Sequence, residues 1–105
     1  MKIIIESPDM KVSASLKNFI IDKVSKLEKL HDRIVSAEIT LEHEAKKTKD
    51  LIRCTLILSL PGKDEYVKVQ SEIFEDAILK VVEAAKRRLR IRKTQRIDKR
   101  KSGVV

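Results

Sequence analysis

Tryptophan is absent from this chain, and two phenylalanines and one tyrosine are its only other aromatic residues. A platform for stacking unpaired bases, as used by sheet-face readers of single strands, has almost nothing to be built from. Phe19 and Phe74 fall in apolar helical stripes, which leaves Tyr66 as the one aromatic candidate for exposure. The only glycines are Gly62 and Gly103, so there is no glycine-rich loop to cradle a phosphate. A single cysteine, Cys54, excludes an internal disulfide and fits a reducing compartment. Cys54 alternates with Ile52 and Leu56, the pattern of a small buried hydrophobe, and sequence places no base beside it. His31 closes a predicted helix and His43 a predicted strand. Capping or half-buried packing accounts for both, and no Cys/His spacing resembles a zinc site. Apolar runs stay far below the ~18 residues of a membrane span. The opening MKIIIESPDM is too short in its apolar part for a signal peptide and meets a proline and acids at once. The expectation is a cytoplasmic protein that is not an enzyme, with no cofactor, metal, membrane partner or small-molecule substrate.

What the chain has is cations, placed unevenly. Between Lys86 and Lys101 stand ten Lys or Arg and one acid, Asp98, a net +9 in a protein of net +8. The remainder sums to −1, so a nearly neutral body carries one concentrated basic element. Such asymmetry is the footprint of a polyanion binder, since clustered cations gain free energy by displacing counterions from phosphates. A helix dipole is satisfied by two or three cations and does not call for ten. The 105 residues make one domain, and 42% hydrophobic residues suffice for a core.

Periodicity gives the elements. The β-branched run Ile3-Ile4-Ile5, stopped by Ser7-Pro8, predicts a short strand. Ser13 predicts a helix N-cap, followed by the stripe Leu16, Phe19, Ile20, Val24 and Leu27, with Asp22 spaced to pair with Lys26. Val35, Ala37, Ile39, Leu41 and His43 alternate with Ser36, Glu38, Thr40, Glu42 and Glu44, a half-buried strand with an acidic outer face. After the basic loop Lys46–Asp50, the stretch Leu51–Leu60 predicts a strand with Ile52, Cys54, Leu56 and Leu58 inward. Pro61-Gly62-Lys63-Asp64 marks a turn, and Tyr66–Gln70 a further strand with Val67 and Val69 inward. The last element is a long helix with Glu72, Glu75 and Asp76 in its first turns and the stripe Phe74, Ala77, Ile78, Val81, Val82, Ala85, Leu89. Lys80, Lys86, Arg87 and Arg90 fall opposite that stripe. Beyond Leu89 the stripe becomes Arg92 and Arg96, so the helix has no core to cover after about Arg90.

The order β-α-β-β-β-α predicts an α+β fold: a four-stranded, mainly antiparallel sheet with two helices packed on one face. The expected division is one domain over 1–95 and a basic tail over 96–105, as a projecting helix or a frayed end. The open sheet face should be polar and partly acidic, and nucleic acid should meet the helices or the basic loops. With stacking poorly supplied, recognition falls to Lys and Arg reading backbone and shape, a mode suited to structured RNA.

The chain also resembles a known family, the ribosome hibernation-promoting factors, also called ribosome-associated inhibitors or sigma-54 modulation proteins. The likeness covers residues 1 to about 95. It is carried by Lys2-Ile3-Ile4-Ile5, by the run Leu16 to Lys29, by Lys26-Leu27-Glu28-Lys29 ahead of Asp32-Arg33-Ile34, and by Phe74 to Ile78 before a basic helix. Leu30 and His31 stand where the family usually has aromatics, and Ile73, Phe74 and Glu75 lack its tyrosine. The resemblance implies a fold like a double-stranded-RNA-binding domain with an extra strand. It also implies docking on the small ribosomal subunit and its RNA, and on the 70S ribosome, in the channel of messenger and transfer RNA. Translation would be blocked there in starved or stationary cells. The matching RNA-binding positions are Lys23, Lys26, Lys29 and Arg33, then Lys80, Lys86, Arg87, Arg88 and Arg90. The chain stops at Val105, which resembles the short form without a dimerisation domain, monomeric when free. The rival readings are another RNA-binding role, such as ribosome assembly, and a protein-interaction module that modulates a transcription (sigma) factor.

Overall fold

The computed structural model describes the backbone over residues 1–45 and 50–104 and side chains over 1–44 and 50–92. Its elements are β1 (Lys2–Glu6), α1 (Ala14–Ser25) continuing into a 3-10 segment (Lys26–Lys29), β2 (Ser36–Ala45), β3 (Asp50–Ser59), β4 (Glu65–Ser71) and α2 (Phe74–Val104). The strands form one sheet in the order β1-β2-β3-β4. β1 lies parallel to β2, joined through α1, while β2-β3 and β3-β4 are antiparallel. The predicted α+β architecture is therefore the observed one. The basic loop 46–49 lies outside the described residues, as do the side chains of the basic stretch 93–101.

Register explains the two faces. Ala37, Ile39 and Leu41 stand opposite Leu58, Leu56 and Cys54, and Leu56 and Cys54 stand opposite Val67 and Val69. This inner face meets the helices in a single core. Ile20, Val24 and Leu27 enter it from the first helical stretch, and Ala77, Ile78, Val81, Val82, Ala85 and Leu89 from α2. Each aliphatic side chain so buried is worth about 1.5–3 kcal/mol of transfer free energy, and this burial, more than helix propensity, holds α2 in place. The inward positions predicted for β3 and the stripe of α2 are as observed, with Phe74 and Val69 half-buried at the margin.

The ends of β2 depart from the alternation. Val35 precedes the strand and is 64% exposed. It contributes through its backbone instead: its N–H donates to the Ser59 carbonyl (2.9 Å), and its own carbonyl accepts from Lys2 N–H (3.1 Å). His43 is exposed rather than inward, although its cross-strand partner Ile52 is buried, and its Nε2 lies 3.8 Å from the Asp50 carboxylate. The Asp9 carboxylate accepts from the His43 backbone N–H (3.1 Å). The open face is also less polar than the acidic residues of β2 suggest. Ile4, Glu38, Ile57 and Tyr66 lie in one cross-strand row, so apolar groups flank Glu38.

Local signals set the ends of elements. The Ser13 hydroxyl accepts from Leu16 N–H (3.1 Å), the predicted N-cap. Gly62 has φ +88°, a conformation the β3–β4 turn needs and L side chains resist. α2 begins at Phe74, so Glu72 precedes it while Glu75 and Asp76 occupy its first turn. The Ser71 hydroxyl donates to the Asp76 carboxylate (2.6 Å) and accepts from Ile73 N–H (3.3 Å), fixing the entry into the helix.

Candidate nucleic-acid interface

Cations on the helical layer are the candidate site, and the structure sorts them by what they touch. On α1, Lys23 and Lys26 share the Asp22 carboxylate at 3.7 and 3.9 Å. The Lys23 ammonium also lies 5.5 Å from the centre of the Phe19 ring, a cation–π contact that lays its stem along α1. On α2, Lys80 pairs with Asp76 (3.1 Å) and Lys86 with Glu83 (3.3 Å). Arg88 reaches Glu65 on β4 at 3.9 Å. These pairs are solvent-screened and worth ~0–1 kcal/mol each, so a polyanion can displace them cheaply. Among the described residues, Lys29, Arg33 and Arg87 form no ion pair and stand exposed. Arg90 is exposed as well. Lys86 is half-buried, because it stands four residues after buried Val82 and three before buried Leu89, on the flank of the packed face rather than opposite it.

Tertiary packing gathers some of these residues and separates others. α1 packs against α2, so both sets belong to one layer over the sheet. Arg33 and Arg88, distant in sequence, line the same cleft. Lys80 and Arg87 share a shallow groove with Leu79 and Val69. Lys23, Lys26 and Lys29 line neither depression.

Sequence reading missed Arg92 and Lys63. Arg92 follows Leu89 on the stripe, where the apolar pattern stops, and by composition is one more cation of the basic run. Its guanidinium donates to the Lys63 carbonyl (2.5 Å) and the Pro61 carbonyl (2.9 Å), and it lies 3.5 Å from the Glu65 carboxylate. It therefore clamps the β3–β4 turn to α2. An arginine at a position that continues an apolar stripe was the available signal, and the turn it meets is not encoded nearby. Lys63 had only its place in a turn, with no local hint of what that turn would meet.

The thiol and the two imidazoles have definite surroundings. Cys54 is buried, and loss of solvation pushes its thiol up to about 12, so no thiolate is present at neutral pH. His31 Nδ1 accepts from Arg33 N–H (3.2 Å), closing the turn after the 3-10 segment. His43 stands 3.8 Å from Asp50. No group of three or more His, Cys, Asp or Glu among the described residues could hold a metal. Asp76 is held below the usual carboxylate range by the Ser71 hydroxyl and then by Lys80. No helix among the described residues is long and apolar enough to cross a membrane.

Fold and site together define an α+β domain with a cationic helical layer on one side of a mixed sheet. The family described as Sigma 54 modulation protein / S30EA ribosomal protein matches residues 3–97, and the chain belongs to it. Membership makes its role a ribosome-related one, in a family of ribosome-associated factors rather than of enzymes. The fold is similar to the Thermus thermophilus Protein Y N-terminal domain, with a TM-score of 0.74 at 18% identity over 85% of this chain and 96% of that one. It is equally similar to a ribosomal subunit interface protein from Coxiella burnetii, TM-score 0.74 at 17% identity over 90% of this chain and 99% of that one. A search of curated proteins finds no match.

Proposed function

We propose that this protein silences idle ribosomes without catalysis, by docking its helical layer on small-subunit ribosomal RNA in the channel of messenger and transfer RNA. The observation that carries the reading is the family match over residues 3–97, which spans the sheet and both helices. The cationic layer supports it physically. Lys23, Lys26, Lys29 and Arg33 from one side, and Lys80, Lys86, Arg87, Arg88 and Arg90 from the other, offer phosphate contacts over a rigid core. The forked guanidiniums of α2 suit bidentate pairing with phosphate oxygens. The body of the domain then excludes transfer and messenger RNA by volume. The subunit-interface protein with the same fold supports a ribosomal location, and with it the cytoplasm. Stress or stationary phase is the proposed setting, a monomer the proposed free form, and a division near residue 95 the proposed boundary of the docking domain.

Sedimentation of the purified protein with small subunits, large subunits and 70S particles, at low and physiological salt, tests this. Stoichiometric binding to small subunits and 70S particles is expected, persisting at physiological salt and lost when transfer RNA fills its sites. Binding that treats both subunits alike and vanishes with salt would reduce it to polycation–phosphate attraction. An association that instead survives nuclease treatment would move the protein-partner reading to the front.

A further inference from the structure

Beyond the broad helical layer, the described residues form an open cleft at the end of the sheet. The loop before β2, the β3–β4 turn and α2 meet there around about 680 Å³, within the ~300–1,000 Å³ of small-molecule sites. Its walls differ in character. Arg33, Lys63 and Arg88 bring cations from three separate segments, while Pro61 and Ile91 supply apolar surface and Tyr66, on edge strand β4, borders the cleft from the open side of the sheet.

The charges in this cleft are not balanced internally. Asp64 is committed, its carboxylate accepting from Leu60 N–H (3.1 Å). Glu65 is shared between Arg88 at 3.9 Å and Arg92 at 3.5 Å. Arg92 is itself spent on the carbonyls of the turn, so it fixes the wall and does not reach outward. Arg33 and Lys63 have no ion pair among the described residues, and the Arg88 pair is long and exposed. The two carboxylates thus leave a cationic surplus, directed at a space with apolar walls. Phosphate matches the first property and a flat heterocycle the second.

We propose that this cleft binds one nucleoside monophosphate unit, with its phosphate on Arg33, Lys63 and Arg88 and its base against Pro61, Tyr66 and Ile91. The proposal rests on the RNA-binding reading above for its favoured source, an unstacked nucleotide of an RNA strand. A free mononucleotide presents the same chemistry. The clamp by Arg92 gives the site its rigidity, because it holds the turn that carries Lys63 against the helix that carries Arg88 and Ile91.

Tyr66 is the only tyrosine, so uniform labelling with 3-fluorotyrosine places a single ¹⁹F reporter on the cleft wall. The full chain is titrated with a short single-stranded RNA, with AMP and with inorganic phosphate. A saturable shift of that resonance by the RNA is expected. In Lys63→Ala, with melting unchanged, the apparent affinity should fall about tenfold, the loss of one charge-assisted contact. A shift by RNA and not by AMP assigns the unit to a strand; equal affinity for AMP assigns it to a free nucleotide. No shift with either, an equal shift with phosphate alone, or a shift indifferent to Lys63→Ala and Arg33→Ala overturns the proposal. Ribosome sedimentation of the same samples separates the two readings. Ribosome binding without the shift removes only the cleft site, and the shift without ribosome binding removes only the silencing role.

Discussion

Arg92 shows how one residue can belong to two patterns. By composition it is part of a basic run; by position it continues an apolar stripe; by contact it is a strut between α2 and a turn. Its side chain is only 19% exposed. Arg92→Ala should therefore lower stability by about 2 kcal/mol, since two backbone carbonyls lose a charged donor, and urea unfolding followed by circular dichroism reads this directly. Arg88→Ala, losing only a long exposed pair, should leave the midpoint almost unmoved. Cys54 gives the opposite lesson, a potentially reactive group silenced by its neighbours. With its thiol pushed up to about 12 in the core, it should resist a chromogenic disulfide reagent in the native protein and react fully in denaturant. Rapid reaction without unfolding would contradict the burial.

Elements were legible where burial has a period. Alternation located β2 and β3, and three- and four-residue spacing located both helices, because one face of each lies on the same core. The pattern failed at the ends of β2, where Val35 and His43 keep the alternation but stand exposed. The start of α2 carries its own prediction. The folded Asp76 carboxyl is held below its ordinary range, first by Ser71 and then by Lys80. Its contribution is therefore present above the unfolded carboxylate pKa and is lost as pH falls through the lowered folded value. Asp76→Asn should remove that part of the acid limb, so melting temperatures of variant and parent should converge as the pH is lowered. Divergence toward acid would refute the assignment. Val81→Asp, placing an unpaired charge at a fully buried position of the same helix, should abolish cooperative unfolding.

On the scale of the whole molecule, a neutral body and a cationic element divide the labour. Core residues of α2 hold the helix, and cations on its outer side remain available to a partner. Replacing Arg87, Arg88 and Arg90 together by Ala should leave melting close to the parent while weakening ribosome binding strongly. The slope of log affinity against log salt should shrink by about two to three, on the scale of ~0.7–0.9 per phosphate contact. Unchanged binding would mean that α2 is not the docking face. The α+β order, the core faces and the location of the charge are legible along the chain, because hydrophobic period and net charge are sums over nearby residues. That Arg33, Lys63 and Arg88 share a cleft, and that Arg92 closes its wall, emerges from long-range packing. Those residues come from segments whose meeting depends on how β4 and α2 return along the sheet, and no local preference encodes that distance.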